Sequence, residues 1–532
     1  MHRRTLFKAI PGAVASGAAA LPRSAVAKGR AQRVLRFVPQ ANLSSLDPIT
    51  TTAYVVRNHG YMAYDTLFGT DEGFVPRPQM AEGAVEEDDG RLWTVTLRDG
   101  LRFHDGEPVR ARDAAASLRR WMKRSAIGQK LEAATEELSA LDDRRLRFRL
   151  RRPFPLLLAA LGSLNTPVPF IMPERLAATD PFQNLREVVG SGPFRFKPDE
   201  YNNGSFMAWE RFAGYSPSPE GRPSLTAGPK LAKFERIEWH VIVDSATATA
   251  ALMNNEVDWF EEPTPEQQTL VRRRRELVVE RLDPDPFWGL LRFNHLQPPF
   301  NDKRMRQALL PAVSQTDSMV AIVGTDPKEY VVDVGFFAPS SPFATDVGLA
   351  PLKGPRDLER AKRLLREAGY TNQPVRLIGP TDDLEPMAMA QVTADLFRRL
   401  GLNLDVAMTD WGTMLQRRTN RGPVAQGGWS VFCTAFSSVD VFNPIGHLPL
   451  RGNGADGWPG WSDIPRLEAL RDAWFEAPDD AARKPICEEM QRVAMDELPS
   501  VPLGCFYSNT ALRRDLADRI PGPSIFWNIR RA

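Results

Sequence analysis

The chain has 532 residues, 42% hydrophobic and 25% charged, with a formal net charge of +2. That length exceeds one ordinary core and sets two or three domains, and the composition is globular rather than disordered or collagen-like. Arg3, Arg4, Lys8 and Arg23 fall in the first 27 residues with no acid; removing these four from 68 basic against 66 acidic residues turns +2 into −2, which gives no reason to expect nucleic acid as a partner.

Residues 1–27 read as a cleavable export signal. Arg3-Arg4 precedes a weakly apolar Ala/Gly segment at 9–21, and Ala25-Val26-Ala27 is an A-x-A site that leaves Lys28 first in the mature chain. The paired arginines are similar to a twin-arginine signal, with a Sec signal as the alternative. No cysteine follows, so no lipid anchor is expected, and no later stretch is long and apolar enough to span a bilayer.

Val34–Val38 reads as a strand, followed by a polar loop to Pro48 and a helix at about 57–67. In 92–122, Trp93, Val95 and Leu97 alternate with polar residues as in a half-buried strand. Asp99-Gly100 and Asp105-Gly106 are turns, the first of hairpin type, and Ala114, Leu118, Trp121 and Met122 recur at helical spacing. In 141–152, Arg145, Arg147, Arg149 and Arg151 alternate with Leu146, Phe148 and Leu150; the row is a solvated sheet face, or, on the sharper reading, a partner-docking face. Gly190-Ser191-Gly192-Pro193 is a sharp turn whose spacing fits neither a P-loop nor a dinucleotide fingerprint. A strand at 234–243, a helix at 245–254 with Asn255 in the left-handed position, and a strand at 257–260 follow.

The pivot of the chain is the apolar run Phe287–Phe293, bracketed by Pro284 and Pro286 before it and Pro298 and Pro299 after it. Proline fixes φ and cannot donate to a ladder, so the pairs bound a short strand. Asn301 or Asp302 caps the next helix. Here the chain is expected to leave one lobe and enter a second. Beyond it, Asp357 caps a helix closed by Gly369. A strand at 374–379, a helix at 385–400 closed by Gly401 and a strand at 402–406 form a β-α-β unit, hence parallel sheet. Trp411 and Met414 start a further helix. A strand near 424–429, a loop at 430–463, helices near 464–475 and 479–495, and a returning strand at 501–503 complete the reading.

Three stretches carry a family resemblance: L-R-D-G-L-R-F-H-D-G-E-P at 97–108 with Asp113 beyond it, G-S-G-P-F at 190–194, and F-N-H-L-Q-P-P-F-N-D-K-R-M-R-Q-A at 293–308. Together they resemble the extracytoplasmic solute-binding proteins of peptide- and nickel-type ABC transporters, the dipeptide and oligopeptide carriers of family 5. One departure is Arg110, where the family often has a Ser/Thr cap. The resemblance covers about 33–532. It implies an α/β, two-lobed periplasmic binding protein fold with central mixed sheets and two hinge strands. Lobe I would hold 28–286, with an inserted subdomain at about 70–190; lobe II would hold 287–503, and 504–532 would return to lobe I. It further implies a soluble periplasmic monomer that closes on a small solute (peptide, opine, oligosaccharide or metal chelate) and delivers it to ABC permease subunits in the inner membrane.

By family position, the solute would meet the early loop with Asn42, Ser44 and Ser45, then Trp411 and Arg418 on one helix, then Gly428, Trp429 and the loop behind them. Peptide-carrying relatives place an aspartate three residues after the tryptophan of G-W, to pair with the ligand's α-ammonium. Phe432 stands there in this chain, and a phenyl ring cannot balance a buried ammonium. A free peptide N-terminus is therefore not expected to be recognised in the usual way, unless Asp440 substitutes from a shifted position. Arg418 either meets a carboxylate or phosphate of the solute or pairs with an acid of its own lobe. Trp411, Trp429 and Phe432 form either an aromatic wall or ordinary packing.

The six histidines form no i, i+3/4 pair or Cys/His cluster, so no metal site or cofactor is expected. Cys433, Cys487 and Cys505 read as small buried hydrophobes. No G-x-S-x-G elbow and no nucleophile–base–orienter set is visible, so no catalytic residue is nominated. The rival classes are a sensor or chaperone-like binder on the same fold and a secreted hydrolase.

Overall fold

The computed structural model describes residues 33–532; the export-signal reading of 1–27 lies outside them. The chain builds two sheet-centred lobes. The first sheet has seven strands, in the order Phe194–Phe196, Phe206–Arg211, Arg236–His240, Val34–Val38, Trp259–Phe260, Asn509–Arg513, Leu277–Arg281. Val34–Val38 runs parallel to both of its neighbours, and the remaining pairs are antiparallel. Phe37, Trp209, Trp239, Trp259 and Phe526 pack edge-on or tilted in its core, the arrangement that aromatic quadrupoles favour.

The second sheet has six strands, in the order Tyr330–Val331, Ser500–Phe506, Phe287–Phe293, Val431–Phe436, Pro374–Pro380, Asn403–Thr409. Phe287–Phe293 and Ser500–Phe506 lie side by side and antiparallel. Their continuous apolar sequence follows from burial on both faces. The chain crosses between the sheets at the ends of this pair, through 282–286 and 507–508. The one charge in the strand Phe287–Phe293, Arg292, is fully buried and donates to the carbonyls of Pro449, Pro459 and Pro499. Desolvation, with Arg306 nearby, lowers its pKa to about 9.

A four-stranded antiparallel sheet (Ala81–Glu87, Leu92–Leu97, Arg145–Leu150, Thr135–Ala140) packs against the helix Ala111–Met122 around a separate apolar core. Leu146, Phe148 and Leu150 face that core, while Arg145 and Arg147 pair with Asp142 and Glu137 on the solvated face. Asp99-Gly100 does not join two paired strands. Leu92–Leu97 pairs instead with its other two neighbours, and 101–108 closes on itself through an Arg102–Pro108 bridge. At the helix start Arg110 supplies no cap. Asp113 compensates, accepting from the amides of Arg110 and Glu174, each at 2.8 Å.

Several local expectations hold. Asp302 and Asp357 cap their helices, and Asn255, Gly369 and Gly401 are left-handed, with φ of 65°, 94° and 78°. Two do not. The helix expected at 57–67 is Tyr54–Ala63, and 424–429 is a 3-10 turn, Val424–Gln426, ended by left-handed Gly427. The strand comes later, at Val431–Phe436, inside the stretch expected to be loop. Its V-F-C-T-A-F sequence lacks alternation because it is the buried centre of the sheet. All three cysteines are free and buried.

Candidate functional site

In open α/β sheets, ligands bind beyond the carboxyl ends of parallel strands. Here those ends, from both sheets, meet at one cleft. Val34–Val38 leads to Gln40, Trp259–Phe260 to Glu262, Pro374–Pro380 to Asp383 and Glu385, Asn403–Thr409 to Trp411, and Val431–Phe436 ends in the cleft at Phe436. These residues, with Tyr54, Arg418 and Trp458, line an inner cavity of about 40 Å³. That is room for roughly three waters. A groove of about 940 Å³ adjoins it through the shared wall of Thr52, Arg418 and Trp458 and runs outward past Ser44, Ser45, Arg421 and Trp461.

Arg418 sits where cavity and groove meet, at the end of the helix Trp411–Arg417. It is 6% exposed. Its Nη2 donates to Thr52 Oγ1 at 3.3 Å, and its guanidinium lies 5.5 Å from the Trp458 ring and 6.0 Å from Phe432. Among the described residues no carboxylate forms an ion pair with it, and desolvation lowers its pKa to about 10. Trp429 acts from behind: its Nε1 donates to the Arg418 carbonyl at 3.0 Å and fixes the helix end.

The opposite wall is acidic. Glu385 contacts both Glu262 and Asp383 through its carboxyl group, and burial together with mutual repulsion raises the pKa of Glu262 and of Asp383 well above the ordinary carboxylate range. Glu261, just behind, is raised to about 7, chiefly by burial; Gln40 N donates to it at 2.7 Å. Asp383 occupies the N-cap of the helix Leu384–Leu400, yet its side chain caps nothing, and its Oδ1 has no hydrogen-bond partner. One cavity is thus lined both by a cation without an acidic partner among the described residues and by a crowd of acids.

The residues nominated from sequence divide. Trp411 and Arg418 line the inner cavity; Ser44, Ser45 and Arg418 line the groove. Asn42 lines neither: its side chain bonds Asn203 and the amide of Gly204. Gly428 faces backbone, with the Gly422 carbonyl 1.8 Å from where a Cβ would stand. Trp429 and Phe432 are fully buried, their rings 5.0 Å apart, with Trp458 5.4 Å from Phe432. Phe432 is the second residue of the strand, so the position three residues after the tryptophan does not line the cavity in this chain; the cleft end of the strand is Thr434–Phe436. Asp440 is not a free substitute either, since Tyr54, Asn165 and Ser437 already occupy it. Sequence reasoning missed Glu262, Asp383 and Glu385. Their signal was position: each follows the end of a parallel strand. No group of His, Cys, Asp and Glu side chains fit to hold a metal occurs among the described residues.

The profile of bacterial extracellular solute-binding proteins, family 5, matches residues 75–442. A probable peptide ABC transporter periplasmic-binding protein of Sinorhizobium fredii is 35% identical over the full length of both chains. Among solved structures, the periplasmic binding protein DppA of Helicobacter pylori in complex with the peptide STSA superposes with a TM-score of 0.77 at 20% identity, covering 95% of this chain and 99% of that one. AgaA of A. tumefaciens R10, in complex with agropinic acid, gives 0.75 at 20% identity, covering 94% and 99%.

Proposed function

This chain belongs to the bacterial extracellular solute-binding proteins of family 5, and from that premise we infer that Arg418 and the acids facing it mark where its solute is held. The protein is the substrate-binding component of an ABC importer and delivers its ligand to the permease. The observation that carries the assignment of the site is Arg418: a buried guanidinium with no acidic partner among the described residues, bonded across the cleft to Thr52 and shared by cavity and groove. A buried cation left in that condition is costly unless a ligand anion completes it.

On this reading, residues 33–286 and 507–532 form lobe I, with an inserted subdomain at about 70–190, and 287–506 form lobe II; the boundary expected after 503 moves to 506 because the strand Ser500–Phe506 stays in the second sheet to its end. The lobes flex at 282–286 and 507–508. The solute's carboxylate meets Arg418, Trp411 and Trp458 give apolar contact, and Ser44 and Ser45 line the mouth. The chain reaches the periplasm by its twin-arginine-like signal, acts there as a monomer without cofactor, and serves as a carrier rather than a catalyst. The small inner cavity fits lobes that are nearly shut, the form a bound solute stabilises, and a peptide- or opine-sized solute would extend from it into the adjoining groove.

X-ray scattering and thermal melting with a panel of carboxylate-bearing small molecules test this. A true solute contracts the radius of gyration. At a hundredfold over its Kd it adds about 2.7 kcal/mol of stability. Uncharged amides of the same molecules should do neither; if they bind equally well, the role of Arg418 falls.

A further inference from the structure

The acidic wall is the part of the cleft that the family motifs do not account for. Glu262 comes from the first sheet's side, Asp383 and Glu385 from the second, and the three meet only because the lobes are together. Two facts set this group apart from an ordinary acidic cluster. Asp383 is 4% exposed, stands at a helix N-cap where a carboxylate normally accepts from the first-turn amides, and instead lines the cavity with an unpartnered Oδ1. In addition, the same cavity is lined by Arg418, a buried cation with no carboxylate partner among the described residues. The acids and the arginine line one cavity, yet no acid–arginine pair forms between them.

We propose that Glu262, Asp383 and Glu385 form a cation-binding pole, so that the solute is a zwitterion whose ammonium or guanidinium group sits between the lobes while its carboxylate meets Arg418. This rests on the capture reading above and specifies its ligand. The set is not suited to a metal ion, since no metal-binding group occurs among the described residues; an organic cation, with donors spread over several directions, fits acids that arrive from both lobes. It takes over the task of the absent aspartate at position 432 by a different route.

The pole also acts as a gate. Ionised, the three carboxyls repel one another across the interface and hold the lobes apart; a cation between them removes the repulsion and favours closure. The other charged groups facing them are Glu261, Asp382 and Arg57. Arg57 contacts none of the three: its guanidinium bonds the Asn58 side chain and lies over the Tyr54 ring. Burial and mutual repulsion raise the pKa of Glu262 and Asp383, and a cation placed among them lowers it again, so cation binding is expected to release protons rather than take them up.

The test uses matched pairs: glycyl-leucine against N-acetylglycyl-leucine, and Nα-acetylarginine against Nα-acetylcitrulline, titrated calorimetrically into the whole mature protein in two buffers of different ionisation enthalpy. The cationic member of at least one pair is expected to bind about tenfold or more tightly than its neutral partner and to release protons. Asp383→Asn with Glu385→Gln should abolish both differences and leave the ligand-free protein folded, since the amides keep the shape of the side chains and remove their mutual repulsion. Wild-type proton release keeps the test decisive if that variant misfolds. Equal binding of charged and neutral partners, with no proton release, overturns this inference and leaves solute capture standing; no response to any member overturns both.

Discussion

The Tyr54 hydroxyl donates to Asp440 Oδ2 across 2.7 Å, tying a helix that borders the first sheet to the turn that follows the strand Val431–Phe436 of the second. The same hydroxyl accepts from the Ser437 amide at 2.6 Å, while Asp440 Oδ1 accepts from Asn165 Nδ2 at 3.1 Å. Burial and the neighbouring Asp440 hold the Tyr54 phenol far above its ordinary pKa, so it remains a donor. The acid nearest to replacing the missing aspartate is thus spent on holding the two lobes in register.

Tyr54→Phe should therefore cost stability rather than specificity. It removes a donor from a buried carboxylate, a loss of about 1.5–3 kcal/mol, visible as a lower Tm and an earlier denaturant midpoint. The solute preference should not change. An unchanged Tm would mean that the bond contributes nothing between the lobes.

Much of this architecture is legible in the sequence, and what escaped has a physical cause. Helix ends announce themselves because capping is local: Asp302, Asp357, Gly369 and Gly401 each act within a few residues of chain. The central strand Val431–Phe436 escaped because a strand buried on both faces has no alternation to read. The site was half legible. Arg418 and Trp411 share a helix face and could be found by spacing, whereas Glu262 and Glu385 lie far apart in the chain and meet only through the packing of two sheets. Phe432 misled because counting from the tryptophan assumes a register, and here the buried strand runs on to Phe436 before it reaches the cleft.

Glu261 gives the ligand-free protein a characteristic pH dependence. Burial raises it to about 7 from the ordinary 4.5, so between those values the folded state binds more protons than the unfolded one. Stability from this group is full below about pH 4.5 and falls as pH rises through 7, by up to about 3 kcal/mol. Opposing it, Glu238 is held at about 2 by His240 and Arg236, and its contribution is lost only in stronger acid. Melting curves should therefore peak near pH 5, and Glu261→Gln should make the decline from 5 to 8 shallower, leaving the part due to the other raised carboxyls, Asp283 among them. A wild-type Tm that rises over that range would contradict the assignment.

Gly190 should tolerate no side chain. Its backbone lies against the turn after the helix Tyr54–Ala63, and a Cβ would stand 1.8 Å from the Ala63 carbonyl oxygen. Since backbone on both sides must move, Gly190→Ala is expected to cost about 3 kcal/mol or more. Gly204→Ala is a useful contrast: it has open space around the Cβ and only its φ of 80° to strain it. Its loss should be near 1 kcal/mol. Comparable losses at the two positions would show that close approach is not what selects Gly190.

Arg418 separates binding from folding most sharply. In the ligand-free protein its guanidinium is desolvated, bonded only to Thr52, and lacks an acid among the described residues, so its charge is a burden on the fold. Arg418→Met keeps the apolar stem against Trp458 and removes that burden; Tm without solute should hold or rise by the equivalent of about 1 kcal/mol. With solute the sign reverses. Removing one partner of a buried charge pair costs about 2–5 kcal/mol, roughly thirtyfold or more in Kd, and Arg418→Lys should recover only part of it, because an ammonium cannot make the paired contacts of the planar fork. Opposite movements of ligand-free Tm and solute affinity in one variant are the signature of a residue kept for its ligand. If both fell together, Arg418 would be a packing residue of its own lobe.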